Sequence, residues 1–242
     1  MYPELLKIGG FTIYTYGVLV ALGFFIGIQY IIKYSKNLID KQQMYDFLFY
    51  VIIFGVIGAR LFYVLINLHY YVSNSLEILQ VWKGGLVYYG GFISVLAFSY
   101  IYCKNKKINI LKFADIFAPA LALGHSFGRI GCFFSGCCYG KNTDCFIAIA
   151  KKHPTQIYES LGNIIIFFIL NKLLKKIHVN GNIFILYMFM YSILRFFVEF
   201  LRGDDRGRFL FGLSPAQNIS VIICIIAAIL LFFNNKKRKN LY

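Results

Sequence analysis

The sequence predicts an all-α integral membrane protein, and three observations carry that prediction. Of its 242 residues, 59% are hydrophobic and only 14% are charged, whereas a soluble domain carries about a quarter charged residues. Apolar runs recur at lengths that match about 30 Å of hydrocarbon at a 1.5 Å rise per residue. Lysines and arginines gather in alternate gaps between those runs, the asymmetry of a multi-pass chain.

Seven runs are readable, so the expected architecture is a seven-transmembrane-helix bundle. The first, about 12–32, lacks a basic leader and an A-x-A-like exit, and is expected to remain as a helix. The second, about 45–68, contains GVIGARLFY, with Arg60 flanked by Gly55 and Gly58, which allow close helix contact. GGLVYYGG opens the third run, about 86–103, with Tyr88 and Tyr89 between glycine pairs.

The fourth, about 113–128, is short and holds Pro119, and the residues beyond it through Gly140 are rich in Gly and Cys. Irregular backbone at membrane depth survives only where protein or a wet cavity covers it. A broken or re-entrant segment lining a cavity is therefore expected after helix four. HPTQIYES precedes the fifth run, about 157–171, with Thr155 a candidate helix cap. The sixth and seventh cover about 183–201 and 215–233. No internal repeat, low-complexity tract or domain-sized linker interrupts the chain, so residues 1–242 read as a single membrane domain.

Charge sets the orientation. Lys33, Lys36 and Lys41, then Lys104, Lys106, Lys107 and Lys112, then Lys172, Lys175 and Lys176, and last Lys236 to Lys239 fall on one side. That side is assigned to the cytoplasm, with the N-terminus outside and the C-terminus inside. The net charge of +15 sits at helix ends, where topology and anionic headgroups explain it. Nucleic acid is excluded as a partner; the lipid bilayer is the expected one.

An ionisable residue at a helix centre costs about 2.5 to 3.5 kcal/mol on insertion scales and marks a paired or functional position. In YMFMYSILRFFVEFLRGDDRG, Tyr187, Tyr191, Arg195, Glu199 and Arg202 follow at steps of four, four, four and three, one stripe at 3.6 residues per turn. Two readings stand: an ion pair of Arg195 with Glu199 that ties helices together, or fixed positive charges for an anion, since guanidinium binds phosphate through a planar fork. Arg60 is either a clamp on backbone carbonyls or a ligand contact. Arg129, in GRIGCFFSGCCYGK, sits in the expected irregular segment, where free backbone N–H groups beside a guanidinium suit a phosphodiester.

Cys132, Cys137, Cys138 and Cys145 lack the paired knuckles of a zinc ribbon, and no metal or cofactor is expected. A disulfide from Cys137 or Cys138 to Cys145, a thiolate activated by the neighbouring guanidinium, and inert packing remain open. A membrane thiol oxidoreductase would leave the arginine stripe without a role.

The chain resembles the prolipoprotein diacylglyceryl transferases over nearly its whole length. TYG, GARLFYV, WKGGLVYYGG, DIFAPALALGHSFGRIG, HPTQIYES and RFFVEFLR stand in the family's order. The resemblance implies a plasma-membrane enzyme of bacteria that takes the diacylglyceryl group of phosphatidylglycerol, or of a related anionic phospholipid, to the thiol of a prolipoprotein lipobox cysteine, releasing glycerol phosphate. It implies Arg129 and Arg195 as the catalytic pair stabilising the phosphate. Tyr16, Arg60, Cys132, Cys137, Gly140, Tyr191, Glu199 and Arg202 are the implied substrate-binding residues. The family pattern G-R-x-G-N-F-x-N-x-E-x-x-G reads GRIGCFFSGCCYG here, so Cys132 and Ser135 replace two asparagines and Cys137 an acidic residue. Tyr89 stands at a family histidine and is the candidate base, with His125 a neighbouring substitute. A different acceptor, or lipid binding without chemistry, are the alternatives.

Overall fold

The structure, a computed structural model, describes residues 2–9, 11–177, 179–204, 207 and 212–239. In chain order its elements are β1 (Glu4–Ile8), β2 (Phe11–Tyr14), α1 (Thr15–Ser35), α2 (Lys41–Ile66), α3 (Leu68–Ser73), α4 (Tyr88–Asn105), α5 (Ile110–Ser135), α6 (Thr155–Leu174), α7 (Asn182–Leu201) and α8 (Pro215–Lys239). Among the described residues six helices, α1, α2, α5, α6, α7 and α8, are long and apolar enough to cross a membrane. The chain is a multi-pass, mostly helical membrane protein. The third predicted run folds as α4, whose 18 residues include Tyr88, Tyr89, Tyr100 and Tyr102 and end on Lys104 and Asn105, which makes it less apolar than the other six.

Two expectations need correction. Residues 11–14 do not begin the first helix. They pair antiparallel with β1, because LLKI and FTIY, both apolar-rich, flank a Gly-Gly pair that suits a tight hairpin; Thr15 then receives the chain, its N–H on Pro3 O at 3.0 Å. The irregular segment expected after helix four begins later than residue 128. Helix α5 runs through Pro119 and Arg129 to Ser135, and irregular backbone starts at Gly136. A proline removes one hydrogen bond of the helix ladder, and Pro119 is fully buried, where surrounding protein supports the turn.

The chain divides into two compact units, residues 34–113 and residues 1–33 with 114–242. In the unit 34–113, α2 lies against α4 through the expected glycines. A Cβ on Gly90 would meet the Gly58 carbonyl oxygen at 2.5 Å, and one on Gly91 the Gly55 carbonyl oxygen at 2.8 Å. That spacing needs small residues on both helices. Phe47, 1% exposed, anchors this unit with its ring 5.0 Å from those of Tyr102 and Phe113.

In the other unit, α5, α6 and α7 share a core of Ala118, Ala122, Ile166, Leu170, Ile183 and Tyr187. The two alanines let α5 approach its neighbours. Asp115, on α5, receives the N–H groups of Gly181 at 2.7 Å and Phe184 at 2.8 Å. Its carboxylate thereby satisfies donors left open at the start of α7. Only 17% of the most apolar window of α8 is buried, against 44% for α5, so α8 offers its sides to lipid while α5 carries the polar interior.

Candidate active site

Within this second unit three helices contribute to one charged cluster. The stripe on α7 forms as the spacing predicts, and Arg195 Nη2 pairs with Glu199 Oε2 at 2.6 Å. Glu159, on α6, joins the stripe to α5: its Oε1 lies 3.0 Å from Arg129 Nη2, and its Oε2 lies 3.4 Å from Arg195 Nη1. The Tyr191 hydroxyl donates to Glu159 Oε1 at 3.3 Å. Arg202 continues the chain of charge, 3.8 Å from Glu199 and bound to both oxygens of Asp204 at 2.7 and 2.8 Å. Ser214 Oγ donates to Glu199 Oε1 at 3.0 Å.

Three guanidiniums thus face three carboxylates, and their exposures differ in a telling way. The Glu159 side chain is 1% exposed and that of Arg195 10%, but Arg129 is 20% exposed. Arg195 lies between two carboxylates, the structural half of its two readings. Arg129 is the most exposed of the three guanidiniums and rests on the buried Glu159.

His125 is one turn from Arg129 on α5. Its Nδ1 lies 3.1 Å from the Tyr187 hydroxyl, and its ring stacks on Tyr191 at 5.0 Å. Tyr16, at the start of α1, packs on Gly131, where a Cβ would meet its Cδ2 at 3.0 Å.

The segment after α5 is held by backbone bridges. Gly140 N–H donates to His153 O at 2.9 Å, and Lys141 N–H to Leu201 O at 2.8 Å, so Gly140 bridges to Arg202. A Cβ on Gly140 would stand 2.5 Å from His153 O and 2.7 Å from Leu201 O. The glycine is there for close approach, and that approach seats Arg202. Thr155 does not cap α6 with its own side chain; its hydroxyl instead donates to Cys138 O at 2.8 Å, and Gln156 Nε2 donates to Cys137 O at 2.6 Å. Hydrogen bonds from Cys132 and then from Arg202 hold the Cys138 thiol well below its ordinary range against the opposing effect of burial. Burial and the charge of Cys138 push Cys137 up. All six cysteines are free thiols, and no bond joins Cys145 to Cys137 or Cys138.

The fold therefore gathers Arg129, Tyr191, Arg195, Glu199 and Arg202 into one network, with Tyr16, Cys132, Cys137 and Gly140 on the same unit. Arg60 and Tyr89 belong to the other unit. Arg60 is a carbonyl clamp: Nε donates to Ile78 O at 2.9 Å, Nη1 to Gly84 O at 2.8 Å and Gly85 O at 3.1 Å, and Nη2 to Glu77 O at 2.6 Å. Tyr89, in the first turn of α4, is 63% exposed, its ring 5.7 Å from that of Tyr88. Asp205, Arg206 and Arg208 of the GDDRGR stretch lie outside the described residues. Glu159, the hub of the network, lies in HPTQIYES, where the sequence pointed only to a helix cap. The available signal was a glutamate entering an apolar helix, which demands a partner.

A profile of the family described as prolipoprotein diacylglyceryl transferase matches residues 3–233. Proteins named phosphatidylglycerol–prolipoprotein diacylglyceryl transferase are similar over almost the full chain. That of Clostridium tetani is 37% identical across 93% of this chain and 95% of its own. The Finegoldia magna protein is 39% identical across 96% and 95%, and the Clostridium novyi protein 34% identical across 100% and 99%. With the family's motifs in order, and with an arginine and glutamate network built from three of its helices, this chain belongs to the prolipoprotein diacylglyceryl transferase family.

Proposed function

We infer that this protein is a transferase that moves the diacylglyceryl group of phosphatidylglycerol to the thiol of a prolipoprotein lipobox cysteine. A carbon–sulfur bond forms at the glycerol carbon, the carbon–oxygen bond to phosphate breaks, and glycerol phosphate leaves. Full-length similarity to transferases of that name supports the reading, and one observation carries its chemistry. Arg129 is the most exposed of the three guanidiniums in a buried cluster, and the buried Glu159 carboxylate, itself paired with Arg195, holds it in place.

A phosphate leaving group needs positive charge that is already in place when the bond breaks, in a site from which water is excluded. Arg129 is assigned direct contact with the phosphate, and Arg195, paired on both sides, completes the field. Tyr16, Tyr191, Glu199, Arg202, Cys132, Cys137 and Gly140 are assigned to the cavity wall, and Arg60 to holding its own loop. The acceptor thiol must lose its proton to a base. Tyr89 and His125 are the two candidates, and the place of His125 beside Arg129 and Tyr191 favours it.

Residues 1–242 are read as one membrane domain in the bacterial plasma membrane, with seven spans once α4 is included, the N-terminus outside and the C-terminus cytoplasmic. Purified protein mixed with phosphatidylglycerol vesicles and a lipobox peptide is expected to give a peptide heavier by one diacylglyceryl group, with glycerol phosphate released in equal amount. Failure to give that product, together with failure to support growth of a bacterium depleted of its own transferase, would reject this assignment in favour of lipid binding or another acceptor.

A further inference from the structure

We propose that Cys132, Cys137 and Cys138 form a three-thiolate site for one divalent d10 metal ion of the zinc type, seated at the end of α5 beside Arg202. The linear spacing offers no paired knuckles, but the fold brings the three sulfurs within 4.8 Å of one another. Zinc–sulfur bonds of about 2.3 Å at a tetrahedral angle place thiolates roughly 3.8 Å apart, so closing on an ion takes only small movements.

The surrounding protein fixes the sulfurs from three directions. The backbone turns through left-handed conformations at Gly136, φ 72°, and at Cys138, φ 62°, and the second of these is an unusual place for a residue with a side chain. That turn folds Cys137 and Cys138 back toward the helix end that carries Cys132, and the Cys137 N–H reaches Cys132 O at 3.2 Å. Thr155 and Gln156, 1% and 2% exposed, grip the carbonyls of Cys138 and Cys137. Buried side chains that orient ligating residues in this way belong to the outer shell a metal site requires.

Charge and access agree with the same ion. Three thiolates and a divalent cation leave one net negative charge, and the backbone bridge from Gly140 to Arg202 brings a cationic residue to the segment that carries Cys138. Soft thiolates select such ions over magnesium or calcium. Cys137 is exposed, which supplies an entry path. On binding, three sulfur–metal bonds form and the thiol protons pass to solvent, with no change of oxidation state. The fourth position is left to water or to a substrate group. Where the family pattern has an asparagine and an acidic residue, the metal would tie the end of α5 to the loop that seats Arg202.

The test is made without lipid or acceptor peptide, so its outcome is independent of the transfer reaction. Reduced full-length protein in detergent is titrated anaerobically with Co(II) as a spectroscopic substitute. The expected result is thiolate-to-cobalt charge-transfer absorption that saturates at one ion per chain and is displaced by Zn(II). Cys132→Ser and Cys137→Ser should each abolish it, and Cys145→Ser should leave it unchanged. Absence of the band in reduced wild-type protein, or its survival in a variant with Cys132→Ser, Cys137→Ser and Cys138→Ser together, overturns the proposal. Should the variants fail to fold, iodoacetamide labelling of wild-type protein decides: Zn(II) should protect Cys132, Cys137 and Cys138 but not Cys145, and equal labelling with and without Zn(II) overturns it.

Discussion

Glu159 reaches Arg129 at 3.0 Å from a helix separated from it in sequence by the whole irregular segment that follows α5. Because its second oxygen lies 3.4 Å from Arg195, one buried carboxylate sets the position of both guanidiniums assigned to phosphate. Removing one partner of a buried ion pair costs about 3 to 5 kcal/mol, since the other is left uncompensated.

Glu159→Gln is therefore expected to lower the unfolding temperature in detergent and to cut transfer at least about tenfold, since a shift of 1.4 kcal/mol in the barrier already does so. Thermal unfolding followed in parallel with peptide lipidation checks it. An unchanged unfolding temperature would mean that the two arginines do not depend on Glu159.

Arg129→Ala and Arg195→Ala should part company. The first removes a guanidinium that is 20% exposed, with a carboxylate on one side, so transfer should fall about 100-fold or more, as when one preorganised donor is lost, with a modest effect on folding. The second removes the cation that Glu159 and Glu199 share, leaving each with one cationic partner, and should lower stability by about 3 to 5 kcal/mol as well as activity. Equal unfolding curves for the two variants would contradict this division of roles.

Gly140→Ala places a Cβ within 2.5 Å of His153 O, where backbone and not a flexible side chain must yield. Overpacking of this kind costs about 1 to 3 kcal/mol, and it shifts the segment that seats Arg202. Transfer should drop together with stability, and Gly140→Ser should behave alike. Normal activity in either variant would show that the bridge to Arg202 is dispensable.

For Arg60 a purely architectural effect is expected. Its guanidinium holds four backbone carbonyls, and hydrogen bonds from a charged donor contribute about 1.5 to 3 kcal/mol each. Arg60→Gln should reduce folded yield and unfolding temperature, while the folded fraction keeps its KM for phosphatidylglycerol. A raised KM at unchanged stability would instead make Arg60 a lipid contact.

The base is resolved by comparing His125→Gln with Tyr89→Phe. General-base assistance contributes about 10² to 10⁴ in rate. The His125 variant is expected to lose that factor in kcat with KM nearly unchanged, and the Tyr89 variant to lose far less. The reverse pattern, read from initial rates, would move the role to Tyr89.

Much of this protein was written in local composition. Hydropathy alone located every long helix, because hydrocarbon enforces both the length and the apolar character of what crosses it. The 3.6-residue period placed Tyr187, Tyr191, Arg195, Glu199 and Arg202 on one face before any neighbour was known. The glycines of α2 and α4 announced a close contact, since only small residues permit one. The family's ordered motifs disclosed the reaction class.

Tertiary structure decided what depends on distance between segments. Pro119 signals a break, yet packing around α5 keeps the helix whole to Ser135, because a single lost hydrogen bond is small beside the contacts of a buried helix. Arg60 could have faced a ligand until the loop around Gly84 and Gly85 folded over it and used its donors. Glu159 became the hub only when α6 packed against both α5 and α7, a fact no period within one helix encodes. The three sulfurs came together only through the left-handed turns at Gly136 and Cys138: a spacing along the chain fixes how far apart residues can be, whereas backbone torsion fixes where they meet.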